Sequence, residues 1–371
     1  MKLFLLKLWA GILSVLYLFV FPWNSQVQPN CIPETRSYKG AVPDKYNIWP
    51  TELFAEGEKP WWLRPERLEL RYQRKLHDRK TGGGNQVDSF LILHKGKLVY
   101  EKYYNNHTAD TPHYIASVNK SFVSALVGVA IGEGLIGSVE DKVLDYFPEA
   151  VGMPGWDERK RDITVEHFLT MNSGIYWEDE SDGEAWDGYF AEGLPDRPLY
   201  AFLLPQKAQP GKTHKYENVA FVVPVGIIER ASGMDIMDYA QEKLFAPLGI
   251  TSAEWWTNDA GESMGFLYAM TPRDMARFGY LYLNYGRWED RQILPATYVK
   301  RTPPKSISPK AYGWLFYNTT QMPFIGSYQA VGAGGQFICV TPVRDLVYVC
   351  TGSHREEPIT RRELRKSVLG K

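Results

Sequence analysis

Cysteine is scarce in this sequence. The 371 residues include only three cysteines, too few for a disulfide framework or a cysteine-based zinc site. Cys339 and Cys350 flank a predicted turn at residues 342–345, so an oxidising compartment would allow a bridge between them. Buried, unpaired thiols are the expectation, because a bridge between adjacent strands strains the preferred disulfide geometry. Cys31 lacks the small-residue setting that lipid attachment would need.

The sequence also has almost no net charge. Its 42 Lys and Arg residues balance 43 Asp and Glu residues, which gives a formal net charge of −1, and the basic residues are scattered. This distribution argues against a nucleic-acid partner. Internal repeats and low-complexity tracts are missing as well. With 44% hydrophobic and 23% charged residues, the chain has the composition of a globular protein with a substantial core.

A hydrophobic run near the N-terminus covers residues 8–23 and follows Lys2 and Lys7. Its 16 residues are long for a signal-peptide core and short for a membrane span, which needs ~20. The lysines predict a cytoplasmic N-terminus with the rest of the chain across the membrane. Residues 1–24 are therefore expected to be a signal peptide or an uncleaved signal anchor. The protein would be periplasmic or otherwise extracytoplasmic, either secreted or anchored to the membrane.

The order of local signals predicts an α+β fold. Residues 89–94 and 97–104 alternate as a β-hairpin, the region from about 138 to 310 is mainly helical, and the C-terminal part returns to strands. Among the helices, 219–232 is predicted to stop at Gly233, and Thr271 caps a helix that starts at Pro272. Both chain ends are expected to complete one antiparallel sheet beside a helical lobe. The predicted C-terminal strands are 312–317, 328–331, 336–341 and 346–351.

The predicted organisation has three parts after the N-terminal segment. Residues 25–84 are interpreted as an N-terminal linker region, in which residues 49–79 are rich in Trp, Pro, Arg and Glu. Residues 85–360 form the main domain, with the helical lobe at about 138–310 inserted between its strands. Residues 361–371 are a C-terminal tail. A cleft between sheet and lobe is the expected place for a site.

Ser117-Val118-Asn119-Lys120 is the sole Ser-x-x-Lys in the chain, and it precedes the hydrophobic stretch 122–131. This spacing places a hydroxyl and an amine one helical turn apart on one face. A partly desolvated amine can lose its proton near neutral pH and activate the hydroxyl as a nucleophile. The motif predicts acyl transfer through a covalent serine intermediate. Taken alone, it also fits a capping serine followed by a solvated lysine.

Two further segments have chemistry that fits this motif. Tyr216-Glu217-Asn218 follows a Pro-Gly turn and precedes a predicted helix, so the Tyr216 phenol could pass a proton while Lys120 supplies a positive field. Residues 330–336, Ala-Val-Gly-Ala-Gly-Gly-Gln, form a glycine-rich strand entry against which a substrate could lie. Its backbone could contribute to an oxyanion hole, or the glycines could simply form a bulge or tight turn.

Ser-x-x-Lys, then Tyr-x-Asn, then a glycine-rich strand resemble, in that order, the penicillin-recognising serine hydrolase superfamily, which includes class C β-lactamases, D,D-carboxypeptidases, esterases and 6-aminohexanoate-dimer hydrolases. The resemblance runs from about residue 85 to 355, and three other segments support it. Residues 162–175 look like the family's T-x-x-x-L-L-x-x-x-S-G segment, 247–250 like its P-L-G-M, and 270–279 like its D-L-A-R-F-G helix. The resemblance implies the β-lactamase/transpeptidase-like fold.

The resemblance also implies roles for individual residues. Ser117 would be the acylated nucleophile, Lys120 its activating base, and Tyr216 the residue that passes the proton to the leaving group. Asn218 would contact the substrate amide, with Gly332 lining the substrate site, and the N–H groups of Ser117 and Ala333 would form the oxyanion hole. No metal and no other cofactor is expected, and the partner would be a small-molecule amide or ester.

The third motif departs from the β-lactamase form. Where that branch has a Lys or His that attracts the substrate carboxylate, this chain has Ala330-Val331-Gly332; Lys80-Thr81-Gly82 precedes the nucleophile and is interpreted as a chance match. Loss of a charge-assisted contact costs ~1.5–3 kcal/mol, or roughly ten- to hundredfold in binding. We therefore expect small amides or esters as substrates. A β-lactamase or D,D-carboxypeptidase, and a catalytically silent binding or sensing module, stay open as alternatives.

Aromatic and acidic residues are concentrated between 176 and 192. One interpretation is a mobile lip in which Tyr176 and Trp177 cover the acyl group. The other is a solvated acidic loop anchored by a few aromatic side chains. His167 and His214 are expected to be structural, because a Ser-Lys-Tyr mechanism does not need an imidazole base.

Overall fold

The computed structural model describes residues 35–37, 53–60, 63–65, 87–176, 196–257, 263–303, 312–318, 327–332 and 335–352. A seven-stranded antiparallel sheet has the order β3-β2-β13-β12-β11-β10-β9. The strands from the two chain ends meet where β13 pairs with β2 over six residue pairs. This confirms the prediction that both ends complete one sheet. The strands are β2 (Ser89–His94), β3 (Lys97–Tyr103), β9 (Tyr312–Gly313), β10 (Phe316–Asn318), β11 (Tyr328–Gly332), β12 (Gln336–Thr341) and β13 (Leu346–Thr351).

The β2–β3 hairpin closes through Lys95 and Gly96, whose φ values are 51° and 73°. Positive φ at both central residues is the geometry that matches the twist of paired strands. At the opposite sheet edge, the strand predicted at 312–317 is divided into β9 and β10. Leu315, between them, has a φ of 58°, a left-handed conformation that a continuous strand cannot contain.

Helices cover the sheet and form a large buried core. The two longest are α1 (Asn119–Gly132) and α4 (Val219–Ser232), and most residues of each are buried. The predicted stop of α4 is confirmed by Gly233, which has a left-handed φ of 69°. The other helices are α2 (Val165–Leu169), α3 (Arg197–Leu203), α5 (Ile236–Ala240), α6 (Ala246–Leu248), α7 (Pro272–Leu283) and α8 (Ala296–Arg301), with a π-helical turn at Gln241–Phe245 between α5 and α6.

A second sheet takes two of its four strands, β5 and β6, from the region expected to be mainly helical. It has the order β1-β5-β6-β4, from strands β1 (Thr35–Ser37), β4 (His113–Tyr114), β5 (Glu254–Thr257) and β6 (Ser263–Met270). Trp255 is almost fully buried in β5, and the pairing with β6 contains register shifts. Such irregular pairing weakens the alternation of hydrophobic residues from which strands are recognised in a sequence. A two-stranded ribbon, β7 (Arg287–Trp288) with β8 (Arg291–Gln292), completes the described strands.

Part of the predicted linker packs on the domain. Within residues 25–84, β1 pairs with β5, and the N–H of Gly57 donates to the carbonyl of Leu98 at 2.8 Å. Leu53 and Leu63 are 1% and 0% exposed. The hydrophobic residues 8–23 lie outside the described residues; among those described, no helix combines the length and hydrophobicity needed to span a membrane.

The two cysteines of the C-terminal hairpin are buried on neighbouring strands. Cys339 of β12 lies opposite Tyr348, and Cys350 of β13 lies opposite Phe337. The two thiols therefore occupy different pairing positions, and no disulfide joins them in this described hairpin.

Candidate active site

Ser117 lies in a tight turn between β4 and α1. The turn Ala116–Val118 is a 3-10 helix that runs directly into α1, as the motif predicted. Ala116 has a φ of 47°, a left-handed conformation that is unfavourable for a residue with a Cβ. Ser117 is only partly buried, whereas Ala116 and Val118 are buried. The turn thus holds the serine between two fixed neighbours and leaves it accessible.

Lys120 places its amine next to this hydroxyl. Its Nζ donates a hydrogen bond to Ser117 Oγ at 3.3 Å, and the side chain is 1% exposed. Nζ lies 4.9 Å from the ring centre of Tyr216 and 5.2 Å from that of Phe221. Burial disfavours the charged form of an amine, while neighbouring aromatic faces favour it.

Asn119, the first residue of α1, is held by a hydrogen bond to the second sheet. Its Oδ1 accepts a hydrogen bond at 2.8 Å from the N–H of Leu267 in β6, and the side chain is fully buried. The second sheet therefore holds the first residue of α1 in place, between the positions of the serine and the lysine.

The loop that carries Tyr216 rests on the chain segment after α2. The N–H of Gly211 donates to the carbonyl of Asn172 at 2.8 Å, and that of Lys215 to the carbonyl of Met171 at 3.0 Å. Lys215 Nζ also forms an ion pair with the nearly buried Glu217 at 2.8 Å. The Tyr216 ring is partly buried and stacks on Tyr317 of β10 at a centroid distance of 6.5 Å.

Asn218 comes directly before α4 and is 8% exposed. Its carbonyl accepts a hydrogen bond at 3.0 Å from the N–H of Phe221, one helical turn further on. Asn218 and Phe221 therefore both lie at the start of α4, and the Phe221 ring contacts Lys120.

Gly332, at the end of β11, lies against the turn that carries the serine. A Cβ at this position would stand 2.3 Å from the carbonyl oxygen of Ile115 and 3.0 Å from the Cβ of Ala116. No side chain fits in that space, so glycine allows the central sheet to touch the nucleophile turn. Ala330, the position of the missing cation, is fully buried.

The structure thus brings Ser117, Lys120 and Tyr216 together, with Gly332 beside them. Tyr176 lies close by, with Lys215 Nζ 4.4 Å from its ring centre. The predictions for Trp177 and Ala333 fall outside the described residues, as does most of the 176–192 segment.

Three aromatic residues of this site were not predicted. Phe221 and Tyr317 contact Lys120 and Tyr216 as described, and Tyr114, three residues before the serine, packs on Tyr268 at 4.9 Å. Burial raises the pKa of Tyr114, and the neighbouring Tyr268 and Tyr216 raise it further. Phe221 could have been found from its place one turn into α4. Tyr317 has no local signal, because its contact depends on sheet order.

His167 and His214 lie in environments that differ from that of a catalytic base. His167 Nδ1 accepts a hydrogen bond from the N–H of Thr164 at 3.0 Å and so caps α2. Burial lowers the pKa of His167 and also that of His214. The capping bond of His167 is the structural role that was expected for it.

Comparison with known proteins shows which family the sequence matches. The family model described as beta-lactamase matches residues 73–369, which is more than half of the chain. Beta-lactamase-like protein 2 of Dictyostelium discoideum is 25% identical over 254 residues, covering 57% of this chain and 45% of that protein. Lovastatin esterase of Penicillium rubens is 24% identical over 182 residues, covering 45% of each protein. The chain spans less than half the length of these two relatives.

Solved structures show the same fold. A Bacillus anthracis protein provisionally described as a 6-aminohexanoate-dimer hydrolase aligns with a TM-score of 0.69 and 21% identity, covering 91% of this chain and 88% of that one. The long alignment at low identity shows a common architecture.

Proposed function

The chain belongs to the beta-lactamase family, and from this premise we propose that it is a serine hydrolase that cleaves small amides or esters through an acyl-enzyme on Ser117. The observation that carries the proposal is the hydrogen bond from buried Lys120 Nζ to Ser117 Oγ at 3.3 Å, with the Tyr216 ring beside the amine. A nucleophile bonded to a base, with a second proton carrier beside that base, supplies the parts that acyl transfer needs.

In the proposed acylation, neutral Lys120 takes the proton from Ser117 Oγ as that oxygen attacks the substrate carbonyl carbon. The bond to the leaving group then breaks, Tyr216 passes its proton to the departing amine or alkoxide, and the Lys120 ammonium returns a proton to Tyr216, which leaves Lys120 neutral again. The N–H groups of Ser117 and Ala333 would stabilise the oxyanion, and the contact of Gly332 with Ile115 supports this by bringing β11 to the serine turn. Water then attacks the acyl-enzyme and regenerates Ser117.

The substrate class follows from the position of the missing cation. The buried methyl of Ala330 offers no charge to a substrate carboxylate. Lovastatin esterase, one of the relatives, is named for an ester substrate, and the structural neighbour for an amide hydrolase activity. We therefore propose small amides or esters as substrates, with Asn218, Gly332, Tyr176 and Trp177 as the substrate-binding residues.

Covalent labelling tests the nucleophile. A fluorophosphonate probe should modify the purified protein once, and peptide mapping should place the adduct on Ser117. The Ser117→Ala variant should not react, while Ser121→Ala, a neighbour whose Oγ is committed to the Leu315 carbonyl at 2.6 Å, should react normally. An adduct on another residue, or none on folded protein, would contradict the proposal.

A substrate panel tests the reaction class. Hydrolysis of p-nitrophenyl esters or short linear amides, with slow turnover of nitrocefin and of D-Ala-D-Ala peptides, is the expected pattern. Rapid nitrocefin or peptide turnover would instead identify a β-lactamase or a D,D-carboxypeptidase. If Ser117→Ala lost no biological activity, the protein would be a binding or sensing module on this fold.

We also propose that residues 1–24 export the chain, so that the domain is periplasmic or otherwise extracytoplasmic. The support is the lysine-flanked hydrophobic run at 8–23. Cell fractionation of the full chain, with N-terminal sequencing of the product, should find the domain across the membrane. Recovery of an intact, soluble chain from the cytoplasm would overturn this.

A further inference from the structure

Three side chains with metal-binding atoms meet at the open end of the β2–β3 hairpin. Asp88 precedes β2, His107 follows β3, and His113 opens β4. Their ligand atoms all lie within 4.8 Å of one another. His113 Nε2 is 2.7 Å from Asp88 Oδ2, and His107 Nε2 is 3.9 Å from Asp88 Oδ1.

The surroundings of His113 point to a cation at this place. Its Nδ1 is 3.0 Å from the carbonyl oxygen of Tyr114, and its Nε2 faces the carboxylate of Asp88. Both ring nitrogens therefore face acceptor atoms. A neutral imidazole donates from one nitrogen only, so the other needs a second proton or a metal ion between it and the carboxylate. An imidazole whose far nitrogen donates to a backbone carbonyl is the usual arrangement of a metal-ligating histidine.

Asp88 supplies the negative charge. Its side chain is buried, with only 1% exposed. Asn105 Nδ2 donates to Oδ1 at 2.7 Å, which orients the carboxylate. His107 is held by a loop in which Asn105 and Asn106 both have positive φ, and its side chain is 27% exposed, which leaves the cluster open to solvent on that side.

We propose that Asp88, His107 and His113 bind one Zn²⁺ ion. Two imidazoles and a carboxylate are ligands that zinc accepts, and a water would take the fourth position on the exposed side. Bonds of ~2.0–2.2 Å in a tetrahedral site separate ligand atoms by about 3.3 Å. The two measured separations differ from this by about 0.6 Å in opposite directions, which small side-chain rotations accommodate.

The ion would brace the nucleophile turn. His113 stands four residues before Ser117 on one continuous segment, and the N–H of Ile115 between them donates to the carbonyl of Tyr268 at 2.9 Å. Zn²⁺ would tie this segment to the ends of β2 and β3. This proposal departs from the expectation, drawn from the sequence, that the protein needs no metal. The zinc would act on the scaffold and would take no part in the hydrolysis.

Zinc titration of the full chain tests the site. Protein treated with a chelator should bind one equivalent of ZnCl₂ in competition with a chromophoric chelator, and its melting temperature should rise with zinc concentration. His107→Gln should lower zinc affinity at least tenfold and remove the rise. His94→Gln, which deletes an imidazole at the other end of β2, should behave as wild type.

Cobalt provides a readout that does not depend on variant stability. Co²⁺ bound to the wild-type protein should give the visible absorption of a tetrahedral site with nitrogen and oxygen ligands, and Zn²⁺ should displace it. Absence of stoichiometric zinc binding by folded wild-type protein would overturn the proposal. So would unchanged affinity in folded His107→Gln and His113→Gln.

Discussion

At the scale of single residues, two buried lysines of this chain have different environments. Lys120 is 1% exposed, faces the rings of Tyr216 and Phe221 and donates to a serine hydroxyl. Lys160 is fully buried, and its Nζ donates to the carbonyls of Gly155, Phe202 and Leu204 at 3.3, 2.6 and 2.9 Å. The second set of contacts satisfies an ammonium group, whereas the first places the amine against a nucleophile.

Lys120→Met should therefore separate activity from stability. We expect kcat/KM for a p-nitrophenyl ester to fall by at least ~10²-fold, because the variant loses the group that takes the Ser117 proton. The free energy of unfolding should change by less than ~1 kcal/mol, since an apolar side chain of similar shape replaces a buried amine. Ester kinetics and urea unfolding measure the two effects.

Lys160→Met is the matched control for that substitution. It should lower the free energy of unfolding by about 2–4 kcal/mol, because three carbonyls lose their donor. Burial lowers the pKa of Lys160 to about 8, so pH 7 lies below this pKa. At pH 7, the kcat of Lys160→Met should stay within about twofold of the wild-type value. Equal activity losses in the two variants would show that Lys120 acts through the fold and not as a base.

The residue scale also shows which parts of the site were predictable. Ser117, Lys120 and Tyr216 lie in short motifs whose spacing a helix or a turn preserves, and the structure brings them together. Tyr317 and Asn119 were missed, because their contacts to Tyr216 and to β6 depend on the pairing of distant strands. Asp88, His107 and His113 were missed for the same reason: the fold brings them together, and they form no short metal-binding motif in the sequence.

At the scale of elements, local signals predicted the longest helices and most strands of the main sheet. Helix α7 begins at Pro272 after Thr271, whose side chain accepts a hydrogen bond from the N–H of Asp274, as its capping pattern predicted. Strands β12 and β13 agree with the predicted ranges. The β5–β6 pair was missed, since its register shifts interrupt the alternating pattern that identifies strands.

The contact between β11 and the nucleophile turn gives an element-scale prediction. Gly332→Ala would place a Cβ 2.3 Å from the carbonyl oxygen of Ile115, so the strand and the turn must move apart. We expect at least a tenfold loss of kcat/KM together with a lower melting temperature. Gly132→Ala, at the end of α1, meets Pro295 at 3.2 Å and should change stability by less than ~1 kcal/mol. Full activity of Gly332→Ala would contradict the close contact between β11 and the nucleophile turn.

The junction of α4 and α5 predicts a pH dependence. Burial is the largest cause that raises the pKa of Glu229; Asp235 and Asp196 add to it, a hydrogen bond from the N–H of Ile236 at 3.1 Å opposes it, and the resulting pKa is about 7. The folded chain thus binds more protons at Glu229 than the unfolded chain between about pH 4.5 and 7. The free energy of unfolding should fall as pH rises through that range, by on the order of 1–3 kcal/mol from this group.

Glu229→Gln should remove this contribution and keep an oxygen for the Ile236 N–H. Its stability curve between pH 4.5 and 7 should therefore be flatter than that of the wild type, by the amount that Glu229 contributes. Glu242→Gln, at a more exposed carboxylate, should retain the wild-type slope. Parallel curves for Glu229→Gln and wild type, from urea unfolding at several pH values, would show that Glu229 is not the titrating group.

At the scale of the whole molecule, β13 closes the main sheet by pairing with β2 from the start of the domain and with β12 beside it in sequence. Composition and element order predict such a closure, because strands at both ends and helices between them leave few other ways to bury the core. The sequence does not show that the chain before residue 85 belongs to this unit. Leu53 and Leu63 pack into it from segments without a repeating hydrophobic pattern.

Removing that N-terminal part should therefore destabilise the domain. A chain of residues 85–371 loses β1 and the buried side chains of Leu53 and Leu63, and burying each leucine contributes about 1.5–3 kcal/mol. We expect its free energy of unfolding to be at least about 3 kcal/mol below that of residues 25–371. In the longer chain, Leu63→Ala should cost about 2–5 kcal/mol and the exposed Glu58→Ala less than ~0.5 kcal/mol. Equal stability of the two chains would show that residues 25–84 connect without contributing to the fold, as the linker interpretation holds.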